Sequence, residues 1–498
     1  MLTILKKVIN FSLPNWLVGV MILVLVLRIP SFFEPYSYGD EMIYLTLGEA
    51  IRQGLVLYRD IHDNKPPLLY LLAAIAGNVF WFRVILAMWN MVYIVLFWQL
   101  TKKIFPKNTK AQKVGTTVLA ILSTIPLFEG QIANSEVFMI GFSILAFLIL
   151  LSDKLTAPKV VAAGIFFSLA TLFKVPAAFE VPVVVVLWFF KTNRNLKEVV
   201  KLGKKTALLS LGFATPLVLT FVWYYLRGGL SQYISAAFVQ NVGYLSSWRP
   251  DASQESFLAK NAPLMTRSLI VLIGLSVLYL FRKKLSLTFT LASVWLLFTL
   301  FAVTLSERPY PHYLIQTVPA LSILIAILAT STTKEQVYSI IPLTLFALVP
   351  FYFKFWYYSS SNYYNRFLEF ATSKVTVNEY FKKFDSKIPS YYEIAKFITS
   401  ITNSKDKIFV WGDTSTIYAL AKRLPPIKYV ADYHVKDFYS PETALIDLGN
   451  NPPKMVVVLP QAEDFKQLDS FLKRNYIKIK TLQEAEIWYL QQSRGKIH

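Results

Sequence analysis

Long stretches of this chain carry almost no charge, and that pattern limits its folds more than any single motif does. Apolar runs occupy residues 15–33, 84–101, 114–128, 137–151, 159–173, 175–190, 206–226, 268–281, 285–304, 313–330 and 336–353. A helix that crosses a bilayer needs about 20 such residues, and no soluble core could cover so many runs. Only 16% of the 498 residues are charged and 55% are apolar, against roughly 25% charged in a soluble protein. The sequence therefore predicts a polytopic α-helical membrane protein with about eleven spans.

Composition excludes several chemistries. The chain has no cysteine, which rules out disulfides, thiol catalysis and cysteine-bound metals. Its four histidines are too few for a dedicated transition-metal cage. The formal charge of +21 is not read as nucleic-acid binding, because the basic residues sit in short loops between apolar runs. Lys6 and Lys7 precede the first run, no small-residue cleavage pattern follows it, and the segment reads as an uncleaved signal-anchor.

Charge also sets the sides. The run from Pro66 to Phe82 is ambiguous, since it opens on two prolines and contains Gly77 and Asn78. If it crossed, the loops 102–113 with five lysines, 191–205 with six basic residues and 282–284 with three would all lie outside the cell. Cytoplasmic loops carry the Lys/Arg excess, so 66–82 is expected to lie in the outer interface. The N-terminus is then cytoplasmic and the C-terminus extracytoplasmic, in a plasma-membrane protein. Segments 34–82, 129–136, 174–180, 227–267 and 306–312 fall outside; they hold Asp40, Glu41, Asp60, His62, Asp63, Lys65, Glu136, Lys174, Glu180, Arg308 and His312, whereas Asp, Glu, Lys and Arg are essentially absent from the apolar runs. A charge at mid-bilayer costs about 2.5–3.5 kcal/mol, so their absence from the runs points to chemistry at the outer face.

After Pro350 the texture changes. "FYFKFWYYSSSNYYNRF" suits a membrane–water interface. Beyond it, 407–411 and 455–459 read as buried strands and 476–480 and 486–490 as shorter ones, with helical patterns near 414–422, 441–449 and 462–474. The expected organisation is a membrane domain over 1–353 and a soluble α/β domain over 354–498. His434 and His498 receive no role.

In the first outer segment, "YGDEMIY" opens a helical pattern. Ile43, Leu47, Ala50 and Ile51 form one stripe, Asp40 stands where a cap would, and Gly54 where a stop would. This predicts an amphipathic helix on the outer surface. "YRDIHDNKPPLLYLL" follows. A lysine before two prolines has an extended backbone, so Lys65 is expected to hold its ammonium near the membrane surface, within reach of a lipid phosphate.

The order of these motifs resembles the GT-C glycosyltransferases: a first span, Asp-Glu opening a surface helix, then Lys-Pro-Pro before an apolar helix. The pattern is nearest to protein O-mannosyltransferases, the lipid A aminoarabinose transferase and the RgtA/B/C/D-like group, over about residues 1–350. "IFVWGDTSTIYALAKRLPPIKYV" is also similar to the soluble tail of bacterial members. The resemblance implies a hexosyl- or pentosyl-type transferase taking sugar from a polyprenyl-phosphate donor to a glycan, lipid or protein acceptor, with inversion and without nucleic acid. It further implies Asp40 as general base, Lys65 on the carrier phosphate, and Glu136 as a second acidic residue. Lys174 matches a lysine of the third outer loop, and "ERPYPHYL" supplies Arg308, His312 and Tyr313. Glu41 and His62 complete the expected substrate-binding set. Glu41 and Glu136 are also where a divalent cation would bind if one is used; no other cofactor is implied.

The chemistry explains these residue types. An acceptor hydroxyl must lose a proton as it attacks, and fixed cations must stabilise the departing phosphate. One base suffices for inversion, so paired carboxylates at glycosidase spacing are not required. Two other readings stay open: a transporter or flippase for lipid-linked glycans, which would place ionisable or Gly/Pro-broken segments at mid-membrane, and a polymer ligase or polymerase using a diphosphate carrier.

Overall fold

Inside a bilayer no water is at hand for backbone amides, so an apolar run must close its hydrogen bonds within a helix. The computed structural model describes residues 13–193, 195–241, 257–306 and 308–491. Lys6, Lys7, the middle of the 227–267 segment and His498 lie outside the described residues. Among the described residues seven helices are long and apolar enough to cross a membrane: Asn15–Phe33, Val79–Ile104, Leu196–Leu226, Asn261–Phe281, Leu287–Thr304, Pro311–Thr330 and Glu335–Tyr352. Shorter helices at Thr109–Leu122, Ser135–Leu150, Ala157–Phe173 and Val181–Lys191 fill the remaining apolar runs.

The ambiguous run is not one helix. Leu68–Ala76 has nine residues, about 14 Å at 1.5 Å per residue, roughly half of a bilayer core. Gly77 ends it at φ +69, its N–H bonding back to Ala73 O at 2.9 Å. The following helix then starts at Val79 rather than at 84.

The chain forms two compact units, and the division does not follow the sequence boundary near 353. The first comprises Met1–Ser31, Arg83–Tyr225 and Ala237–Tyr363; the second comprises Phe32–Phe82, Leu226–Ala236 and Tyr364–His498. In the first unit the Leu287–Thr304 helix is buried along most of its length, with Trp295 wholly enclosed. Two cations correct the expectation that the spans are free of charge. Arg28 and Arg83 are fully buried, and both have partners. Arg28 donates to Asn90 Oδ1 at 3.0 Å and Gly130 O at 3.0 Å, and Arg83 to Ser31 O at 3.0 Å. Hydrogen-bonded acceptors are what make a buried charge tolerable.

The second unit contains a four-stranded sheet in the order β1-β2-β4-β3. The strands are β1 (Ile408–Trp411), β2 (Met455–Val458), β3 (Tyr476–Leu482) and β4 (Ala485–Leu490). β1 and β2 are parallel, with Ile408 opposite Met455, and such a pair needs a long crossover, here carrying the Thr416–Ala421 and Pro441–Asn450 helices. β3 and β4 form a hairpin whose two turn residues, Gln483 and Glu484, both have positive φ, as the right-handed strand twist favours. Phe409, Trp411, Val456, Leu472 and Trp488 belong to its core. The Gly39–Arg52 helix packs here against both Leu68–Ala76 and Thr416–Ala421. Glu41 through Gly48 are all buried, so this helix is enclosed rather than laid on a surface by one face.

Candidate functional site

Within the second unit, Asp40 and Lys65 form an ion pair. The helix begins at Gly39 with Tyr38 as its cap residue and no side-chain cap, which corrects the expectation that Asp40 caps it. Asp40 sits in the first turn, where a carboxylate still favours the helix dipole. Its Oδ2 accepts instead from Tyr44 Oη at 2.8 Å, one helical turn on, and from Lys65 Nζ at 3.2 Å. The ammonium also lies 4.8 Å over the Tyr44 ring. Both side chains remain partly open, 36% for Asp40 and 21% for Lys65.

Two tyrosines fix the lysine backbone. Tyr58, at φ +70, donates its hydroxyl to Lys65 O at 2.7 Å, and the Lys65 N–H donates to Tyr70 Oη at 3.3 Å. Tyr70 in turn donates to Asp63 Oδ2 at 2.7 Å. Burial, with help from Asp40 and Asp63, raises the Tyr44 and Tyr70 hydroxyls well above their usual value, so both stay protonated donors at neutral pH. Sequence reading missed Tyr44, Tyr58, Asp63 and Tyr70. Only Tyr44 carried a local signal, its four-residue spacing from Asp40.

The other expected residues of this segment are placed differently. Glu41 is fully buried. His62 is buried against the C-terminal part of its unit: its N–H donates to Lys428 O at 2.9 Å, and its ring meets Tyr429 edge-on at 5.0 Å. His434, which received no role, lies 6.4 Å from the His62 ring.

The first unit gathers a second set. Glu136 begins the Ser135–Leu150 helix and is 2% exposed. Lys174, just past the Ala157–Phe173 helix, pairs with its Oε1. The Lys174 ammonium also sits 3.4 Å over the Tyr313 ring. His312 Nε2 is 3.8 Å from Glu136 Oε1, while its Nδ1 bonds Glu129. Tyr310 stacks on the His312 ring at 5.6 Å and Tyr313 meets it edge-on at 4.8 Å. Glu129 is a buried residue that the sequence placed at a loop end and gave no role. It stands at φ +54, next to the Gly130 carbonyl that Arg28 holds. Tyr358, pushed up to about 12 by burial and by Glu129, bonds that carboxylate as well. Arg308 lies half-buried four residues before His312.

So the structure joins Asp40 with Lys65 in one unit, and Glu136, Lys174, His312 and Tyr313 in the other. Among the described residues no three His, Asp or Glu side chains converge as a metal-binding set. A cavity of about 260 Å³ in the first unit is lined by Asn108, Ser286, Thr330 and Glu335 among others, and by none of these site residues.

Comparison with known proteins gives the fold. Residues 391–490 match the family model described as the competence-induced protein Ccs4 C-terminal domain. No curated protein sequence matches the chain. Among solved structures, ArnT from Cupriavidus metallidurans bound to undecaprenyl phosphate is similar over 97% of this chain and 99% of that one, with TM-score 0.56 and 15% identity. The same protein in its apo state gives TM-score 0.53 and 14% identity, covering 95% of this chain and 97% of that one. The archaeal oligosaccharyltransferase AglB from Archaeoglobus fulgidus, in complex with an inhibitory peptide and a dolichol-phosphate, gives TM-score 0.46 and 14% identity, covering 89% and 69%. At these identities the likeness is one of fold: the chain has the GT-C fold, a helical membrane protein with a C-terminal domain.

Proposed function

We propose that the chain is a membrane glycosyltransferase. It moves a hexose or pentose from a polyprenyl-phosphate carrier to an acceptor hydroxyl outside the cytoplasm, with inversion. The observation that supports this most directly is the half-open Asp40–Lys65 pair, held by tyrosines in the segment between the first two long apolar helices. A carrier phosphate that draws Lys65 toward itself would separate the pair and leave Asp40 able to accept a proton. The acceptor oxygen then attacks the anomeric carbon, the bond from that carbon to the phosphate oxygen breaks, and the hydroxyl proton passes to Asp40. The carrier leaves as its phosphate, where fixed ammonium charge stabilises the negative charge that develops in the transition state. Similarity of fold to a protein solved with undecaprenyl phosphate adds weight to the carrier class. The basic loops between the apolar runs support an extracytoplasmic side for this chemistry.

The test uses purified protein in liposomes, labelled sugars on mono- and diphosphate undecaprenyl carriers, and a panel of acceptors. Wild type is expected to transfer from the monophosphate carrier. Asp40→Asn should fold normally and lose about 10²-fold or more in turnover, as removal of a general base does. Lys65→Met should weaken binding of undecaprenyl phosphate itself. Full turnover by Asp40→Asn would remove Asp40 as the base. Carrier flipping without sugar transfer would replace the whole reading by that of a transporter.

A further inference from the structure

Glu180 is a buried carboxylate that the proposed reaction does not use. It is 1% exposed and ends the 3-10 segment Val175–Glu180, which starts directly after Lys174. Its Oε2 accepts from Trp295 Nε1 at 3.1 Å, and its Oε1 from Gln316 Nε2 at 3.2 Å. The same Gln316 nitrogen donates to Pro176 O at 3.0 Å, so one amide grips both ends of Glu180's own segment. Gln316 belongs to the 3-10 segment Pro311–Thr317, which carries His312 and Tyr313.

We infer that Glu180 is a positioning residue: with Gln316 it locks the segment following Lys174 to the segment bearing His312 and Tyr313. The residue type fits that task. Two donors, an indole N–H and an amide N–H, each meet a different oxygen of one side chain, and both oxygens of a carboxyl group can accept. Glutamine offers one oxygen and would turn an NH2 toward a donor. An unmatched buried polar atom is costly, so the segments would shift to relieve it. The arrangement that depends on the lock is the Lys174 ammonium 3.4 Å over Tyr313, with Glu136 between Lys174 and His312. Over a few residues of 3-10 backbone, a slip of one segment past the other moves all three groups. This inference rests on the glycosyl-transfer reading only for its kinetic consequence; the mechanical link stands without it.

The experiment joins kinetics to hydrogen exchange on full-length protein. Glu180→Gln is expected to cut kcat at least tenfold with KM for the lipid donor within about twofold, and to raise exchange across residues 311–317. Lys174→Met alone should also cut kcat. If Glu180 acts through Lys174, the double variant Glu180→Gln/Lys174→Met should be no slower than Lys174→Met. Effects that multiply would overturn the link, because general loosening compounds with any other loss. Should Glu180→Gln not fold, Gln316→Leu removes the same bridge and should show the same exchange change and the same non-additivity. Unchanged exchange at 311–317 in a folded variant overturns the inference whatever the activity. A wild type that transfers no sugar would overturn the functional reading instead, and the exchange result would still decide the lock.

Discussion

Asp40 Oδ2 carries two donors at once, Tyr44 and Lys65, although Asp40 is the most exposed carboxylate of its helix. An oxygen so occupied is poorly placed to take a proton until one partner moves, and Lys65 is the partner with somewhere to go. Lys65→Met should therefore reduce donor binding more than it harms the fold, checked by lipid-induced thermal stabilisation against the midpoint of the lipid-free protein. Asp60 offers a titration test in the same segment. Hydrogen bonds from Arg59 lower its carboxyl, partial burial opposes them, and the Val56 N–H adds to the lowering. A depressed folded value means that its contribution is complete above about pH 4, the ordinary carboxylate value, and disappears as pH falls through the lower folded one. The pair is largely exposed, so solvent screening keeps the contribution small. Asp60→Asn should remove that part of the acid-side loss, measured as the unfolding midpoint between pH 5 and pH 3.

Among elements, the contact between the Gly39–Arg52 and Leu68–Ala76 helices sets how Asp40 meets Lys65. It depends on Gly48, where a Cβ would come within 2.6 Å of the Ala74 nitrogen and 2.7 Å of the Ala73 carbonyl carbon. Backbone cannot step aside as a side chain can. Gly48→Ala should push the helices apart at a cost of about 1–3 kcal/mol, the usual range for overpacking, and lower turnover by displacing Asp40. Calorimetry checks the first effect and the transfer assay the second. Gly54, at positive φ, ends the longer helix where the sequence placed its stop.

For the whole molecule, the second unit takes in both residues 32–82 and the C-terminal sheet, since Thr416–Ala421 packs on Gly39–Arg52 and His62 bonds Lys428. Removing residues 364–498 is therefore expected to expose the buried helix of residues 39–52 and yield protein that aggregates on size-exclusion chromatography. A monodisperse truncated chain that still binds undecaprenyl phosphate would show that the C-terminal sheet is an independent appendage. Some of this was legible in one dimension. Apolar runs fixed the helical membrane class, because unpaired amides are not tolerated in lipid. Short apolar runs located β1 to β4 within two residues of their ends, and the Asp-Glu and Lys-Pro-Pro motifs marked Asp40 and Lys65. Pairings across long separations were not legible: Glu129 with His312, Glu136 with Lys174, Glu180 with Gln316, and Arg28 with Gly130. Local sequence sets which backbone conformations are affordable, but a buried charge is tolerated only by partners that folding itself delivers, and no periodicity encodes where those arrive.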